Sequence, residues 1–179
     1  MSGRGLGHGG GLATVLGASW KVLTSASTEY FIGVVFERPG GRYTVVNVYL
    51  PPVTSAYAPK GAEGFHTSLT QINNWVTSAR LQLGTIGAVL WVGDFNARLG
   101  QLVIGDAADV TNNHRGTIML QLLRSWNLTV AATTNATQPA RLANTHQHSA
   151  NRFTTVDYVW HQLPAVSYTH LTLPTICSV

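Results

Sequence analysis

Short stretches of alternating apolar and polar residues, each closed by turn residues, fill the first third of the chain. Residues 12–23 and 29–38 predict two strands, Pro39-Gly40-Gly41 a tight turn, and 42–50 (RYTVVNVYL) a third strand. Short strands joined by tight turns favour antiparallel neighbours. Pro51-Pro52 stops the third strand, and a polar loop runs on to about residue 60. Over 64–83 the residues Phe65, Leu69, Ile72, Trp75, Val76, Ala79 and Leu83 recur at spacings of three and four. That period predicts one face of an amphipathic helix, with Gly84 as its C-terminal cap. Residues 87–92 (GAVLWV) form a continuous apolar run, which predicts a strand buried on both faces. A second helix is predicted over 116–126, with Ile118, Leu120, Leu122 and Leu123 packed inward. Strands follow over 128–132 and 152–160 (RFTTVDYVW), separated by a long polar surface loop at 133–150. The order βββ-α-β-α-β-β predicts an α+β layered sandwich.

Composition narrows the class. The 179 residues fit one domain of ordinary size or part of a larger one. Apolar residues make up 45% and charged residues 10%, which excludes a charge-rich disordered tail and a coiled coil. No apolar run approaches the roughly 18 residues of a membrane span, so no membrane partner is expected. The single Cys177 excludes a disulfide framework and a cysteine-based zinc site. Eleven Lys and Arg against seven Asp and Glu give a net charge of +4, and nine of the eleven are arginines. Arginine suits bidentate phosphate contacts, so the balance is compatible with a nucleic-acid substrate. Residues 1–11 are glycine-rich and loop-like; no strand precedes them and no Gly-Lys-Ser/Thr follows, so they do not form a phosphate-binding P-loop.

The chemistry concentrates in residues 89–100, VLWVGDFNARLG. A buried strand ends in Gly93, and Asp94, Phe95 and Asn96 emerge at its C-terminal edge, where layered sheets commonly place ligand sites. Alternation puts Asp94 and Asn96 on one side and turns Phe95 to the core. A carboxylate beside a carboxamide can bind a hard divalent cation and also orient a phosphate or a water. The same alternation puts Asn47 and Tyr49 on one face of the third strand, with Val46 and Val48 turned inward. His146 and His148 form a short pair in a polar loop and make a weak metal candidate. Arg98, Arg115, Arg141 and Arg152 are candidate DNA-facing arginines.

The block from 89 to 100 resembles the Gly-Asp-Phe-Asn motif of the endonuclease/exonuclease/phosphatase family, which includes apurinic endonucleases, pancreatic deoxyribonuclease and the endonuclease domains of non-LTR retrotransposons. Three further segments resemble that family in the expected order. Residues 45–52 (VVNVYLPP) are similar to the strand whose tyrosine contacts the scissile phosphate. Residues 115–128 (RGTIMLQLLRSWNL) are similar to a helix of the retrotransposon branch. Residues 154–159 (TTVDYV) are similar to the strand whose Asp supports the catalytic histidine. The resemblance implies a four-layer α/β/β/α sandwich of the deoxyribonuclease/apurinic-endonuclease type, here incomplete. It implies Asp94 as the central acid that activates or positions water, and Asn96 as the residue that holds the nucleophile and a phosphate oxygen. Tyr49 would stabilise the phosphate, Asp157 would orient a histidine, and Asn47 and Arg98 would bind substrate. A Mg²⁺ (or Mn²⁺) ion is implied, with Asp94 and Asn96 among its ligands. DNA is the implied partner, with a downstream reverse transcriptase in a parent protein that works inside the cell, in the nucleus.

The departures from the family pattern are as informative. The family's metal-binding Glu has no match, since Glu29, Glu37 and Glu63 stand in other contexts, and no Ser-Asp-His motif is present. Pro52 replaces an asparagine common in repair enzymes, which favours the retrotransposon branch. Residues 12–164 are therefore expected to form a partial domain, a fragment whose own activity is in question. Two alternatives remain open: a phosphodiesterase of the same family with another substrate, and a non-catalytic relic of a decayed element. Residues 165–179 form a separate tail. Its stretch 167–175 (SYTHLTLPT) back-translates to the transposase adapter of DNA sequencing libraries, so the tail is expected to be non-native.

Overall fold

The computed structural model describes residues 12–100, 113–131, 133–135, 138–141, 146–149, 152–154 and 156–162. The glycine-rich start and the adapter-like tail lie outside these residues. Strands β1 (Lys21–Ser27), β2 (Phe31–Arg38) and β3 (Gly41–Tyr49) are followed by helix α1 (Gly61–Leu83), strand β4 (Ala88–Asp94) and helix α2 (His114–Ser125). Short strands β5 (Thr129–Val130), β6 (Thr133–Asn135), β7 (Gln138–Arg141), β8 (His146–Ser149) and β9 (Arg152–Thr154) precede β10 (Asp157–Gln162).

Six strands form one mixed sheet in the order β1-β2-β3-β4-β10-β5. All neighbours are antiparallel except β3 and β4, which run parallel because α1 carries the chain back across the sheet. Helix α1 buries Phe65, Leu69, Ile72, Val76 and Ala79, the stripe its sequence period predicts. Gly33 of β2 lies beneath the indole of Trp75 from that helix, and a Cβ there would overlap the ring. Trp91 of β4 and Trp160 of β10, register partners at the sheet centre, are fully buried. On the opposite face Trp20 stacks on Phe36 with centroids 4.8 Å apart, and Asn47 Nδ2 donates to the Ala13 carbonyl at 2.9 Å. Residues 12–20 thus lie across that face.

Several sequence-based boundaries are corrected. The first strand runs 21–27 rather than 12–23, because a turn closed by Trp20 N–H to Gly17 carbonyl (2.9 Å) separates 12–20 from it. Strand β4 is not buried equally on both sides: Val89 and Trp91 are buried, while Ala88, Leu90 and Val92 are half-buried. The expected loop at 133–150 contains hairpin β6–β7 and strand β8, whose partner β9 takes the first part of the expected strand 152–160. Of the strands from β6 to β10, only β10 joins the central sheet. No helix among the described residues is long and apolar enough to cross a membrane.

Candidate active site

Three adjacent strands end in register. Tyr49 of β3 is the parallel partner of Asp94 of β4, and Asp94 is the antiparallel partner of Asp157 of β10. Two backbone bonds continue the ladder past the strand ends, Leu50 N–H to Asp94 carbonyl (2.8 Å) and Phe95 N–H to Val156 carbonyl (3.0 Å). The close approach needs Gly93: its φ is 131°, and a Cβ there would overlap the Val48 carbonyl oxygen.

Alternation continues into the segment after β4. Phe95, Ala97 and Leu99 are fully buried, so Asp94, Asn96 and Arg98 share the other side. Asn96 adopts a left-handed backbone (φ 45°), a conformation tolerated by asparagine more readily than by most residues. That geometry turns its peptide N–H onto Asp94 Oδ1 and its Nδ2 onto Asp94 Oδ2, each at 2.8 Å. Asn96 thereby engages both carboxylate oxygens, and its own carboxamide oxygen remains as an acceptor.

Two side chains, buried Tyr158 and half-buried Asn113, fix this segment. The Tyr158 hydroxyl donates to the Ala97 carbonyl (3.0 Å) and accepts from Leu99 N–H (3.1 Å). Asn113 caps α2: its Oδ1 accepts from Gly116 N–H (2.8 Å) and also from Arg98 N–H (3.1 Å), while its own N–H donates to the Arg98 carbonyl (3.1 Å). Asn113 and the hydroxyl of Tyr158 were not candidates from sequence. The signal for the first was an Asn placed just before a helix, a preferred N-cap.

A cavity of about 430 Å³ opens over this edge, lined by Tyr49, Pro52, Asp94, Asn96, Arg98, Asn113 and Val156. The structure therefore brings Tyr49, Asp94, Asn96 and Arg98 to one opening. Asp157 stands opposite Asp94 in the ladder but does not line the cavity, and Asn47 lies two residues back along β3, bonded to Ala13. Arg115 is corrected: it is buried rather than DNA-facing, with Nη1 donating to the Pro51 carbonyl at 2.7 Å. Burial lowers its pKa from the ordinary arginine value. The side chains of Arg141, Arg152, His146 and His148 lie outside the described residues.

Among the described residues no group of three or more His, Cys, Asp or Glu could hold a metal. Glu37 is engaged by Arg42 at 3.2 Å, and Glu29 and Glu63 line a separate opening beside the start of α1. What the cavity offers a cation is the Asp94 carboxylate and the Asn96 carboxamide oxygen. Both are hard oxygen donors of the kind Mg²⁺ accepts when water and substrate phosphate complete its shell.

No family model and no curated protein matches the chain. Solved structures do. The endonuclease domain of TRAS1, a telomere-specific non-LTR retrotransposon, matches with a TM-score of 0.53 at 16% identity, over 82% of this chain and 57% of that one. A beta toxin from Staphylococcus aureus matches with a TM-score of 0.51 at 10% identity, over 79% of this chain and 50% of the toxin. The human Nocturnin catalytic domain reaches a TM-score of 0.47 at 19% identity, over 80% and 48% of the two chains. The chain thus spans about half the length of the structures it matches. The likeness is one of fold. The chain has the α+β fold of the endonuclease/exonuclease/phosphatase type.

Proposed function

We propose that the chain carries the phosphate-handling core of a Mg²⁺- or Mn²⁺-dependent DNA endonuclease of the retrotransposon type. The observation that carries this reading is the row of Tyr49, Asp94 and Asp157 on three adjacent strands, beside a cavity that also presents Asn96 and Arg98. The fold likeness to a retrotransposon endonuclease domain supports it.

In this reading a DNA phosphate enters the cavity and its non-bridging oxygens meet the Tyr49 hydroxyl and the Arg98 guanidinium. The phenol donates a hydrogen bond, and arginine pairs with phosphate in a forked geometry. Asp94, held by two bonds from Asn96, accepts a hydrogen bond from the attacking water and aligns it. The Asn96 carboxamide keeps one N–H and its oxygen for the water or the phosphate. Asp157 orients a histidine supplied from outside the described residues. A divalent cation held through Asp94 and Asn96 would neutralise charge developing on the phosphate. The parent protein is proposed to carry a reverse transcriptase downstream and to act in the nucleus.

Plasmid nicking in Mg²⁺ tests the proposal. Neither a glutamate nor a histidine lines the cavity among the described residues, and a missing acid–base group typically costs 10² to 10⁴ in rate. The 179-residue chain is therefore expected to nick supercoiled plasmid very slowly. A longer chain that adds the Glu and Ser-Asp-His segments of the retrotransposon pattern should nick well, and Asp94→Ala should abolish its activity. Inertness of the longer chain, or nicking that survives Asp94→Ala, would refute the reading. The same absence of Glu and His at the cavity favours a second reading, a nucleic-acid-binding chain without catalysis, which predicts DNA binding and no cleavage in either form.

A further inference from the structure

Arg115 is 6% exposed, and its guanidinium carbon lies 4.8 Å from the ring centroid of Phe65. Among the described residues no carboxylate pairs with it, and its one hydrogen bond goes to the Pro51 carbonyl. Fold stability alone is a poor reason for an arginine in such a place, because a well-packed apolar side chain of similar volume is often as stable or more so. A guanidinium does supply a rigid planar donor at a fixed reach from the helix. Here it ties the first turn of α2 to the carbonyl that immediately precedes Pro52.

Of the residues that line the cavity, Tyr49 and Pro52 belong to the end of β3 and the turn after it, and Arg98 and Asn113 to the segments that meet at the start of α2; these two groups are taken as its walls. Asn113 is bonded to both backbone polar groups of Arg98. Gly116 packs so closely that a Cβ there would overlap the Arg98 carbonyl oxygen. The two walls are therefore fastened to one helical turn, one through Asn113 and the other through Arg115.

We infer that Arg115 is a positioning residue that sets the spacing between the two walls, and so the fit of a DNA phosphodiester backbone between them. The choice of DNA rests on the endonuclease reading; the fastening of the walls does not. Arg115 acts through Pro51 and touches no phosphate, whereas Arg98 faces the cavity directly.

Binding of a short fluorescein-labelled DNA duplex by the full chain, followed by anisotropy across a salt series, separates these roles. Each phosphate contact contributes about 0.9 to the slope of log K against log salt. Arg98→Ala should lower that slope by about 0.9, the value of one contact. Arg115→Met should weaken binding up to about tenfold, the scale of one neutral hydrogen bond such as that of the Tyr49 hydroxyl, and leave the slope unchanged, while Arg115→Lys recovers most of the loss. A slope change like that of Arg98→Ala would make Arg115 a direct contact and overturn the inference. So would unaltered affinity in a folded Arg115→Met chain. Should Arg115→Met not fold, Arg115→Gln, whose shorter side chain cannot hold the Pro51 carbonyl at the same reach, should show weakened binding at an unchanged slope.

Amide hydrogen exchange reads the wall without DNA. The Ser55 and Ala58 amides, bonded to the Pro52 and Ser55 carbonyls, should exchange faster in Arg115→Met while those of α1 do not. Unchanged exchange at both overturns the positioning role. If the unaltered chain binds no duplex yet exchange responds as described, the endonuclease reading fails and the wall assignment stands.

Discussion

Asp94 and Asp157 stand directly opposite each other where β4 pairs with β10. Side chains so placed have Cβ atoms roughly 4.5–5.5 Å apart, and like charges there repel. A divalent cation held at this edge, as proposed, would offset part of that repulsion as well as gain ligands, so metal binding should register as stability. At ten times its Kd, Mg²⁺ should add about 1.4 kcal/mol. Thermal melts with and without Mg²⁺ should show the shift in the unaltered chain and its loss in Asp94→Ala. An equal shift in both would place the ion elsewhere.

Gly93 is a position at the edge where a side chain cannot be added without strain. Its φ of 131° is one that side chains rarely adopt, and a Cβ would overlap the Val48 carbonyl. Gly93→Ala combines backbone strain with a clash against a parallel neighbour strand, at roughly 2–6 kcal/mol in sum. Urea unfolding should show that loss. A loss under about 1 kcal/mol would mean β3 and β4 separate there more readily than the ladder implies.

Much of this arrangement was readable in the sequence wherever it depended on local period. The stripe from Phe65 to Ala79 announced α1, and alternation around Asp94 placed Phe95 in the core and Asn96 beside the acid. What depended on contacts between distant segments was not readable. Tyr158 reads as a core aromatic, yet its hydroxyl grips a segment 61 residues away. Arg115 reads as a solvated cation because arginines usually are, and its acceptor is a backbone carbonyl 64 residues earlier, invisible to side-chain pattern. The first strand was misplaced because Leu12, Ala13 and Val15 are apolar, yet their segment crosses the sheet face rather than joining a strand. Hairpin β6–β7 and the β8–β9 pair lack the apolar alternation that marks a strand packed on a core.

Asn113 does two jobs that its two obvious replacements separate. Asn113→Ala removes the N-cap bond to Gly116 and the bond from Arg98 N–H, and N-cap losses alone run about 0.5–2 kcal/mol. Asn113→Asp keeps an acceptor for both donors and adds a negative charge at the positive end of α2, which is favourable. The aspartate should therefore hold stability near that of the unaltered chain while repelling phosphate from the cavity it lines. Duplex affinity should fall more in Asn113→Asp than in Asn113→Ala, and the melting temperatures should rank in the opposite order. If both properties rank the same way, Asn113 is a cap alone and the cavity does not receive an anion.

His161 on β10 should make the fold sensitive to acid. Burial pushes its pKa below the usual 6.5, so the folded chain holds this ring neutral at pH values where the unfolded chain has already bound a proton. The unfolded state then carries the greater number of protons between the two pKa values, and stability falls as pH drops through that window. The contribution is fully present above about pH 6.5, where both states are neutral, and is lost progressively below it. His161→Gln cannot titrate and should flatten this part of the profile. Urea midpoints measured on either side of the histidine range should differ more for the unaltered chain than for His161→Gln. Parallel profiles for the two chains would assign the acid sensitivity to carboxylates instead, and would mean that protonated His161 is tolerated beside Leu90, its register partner on β4.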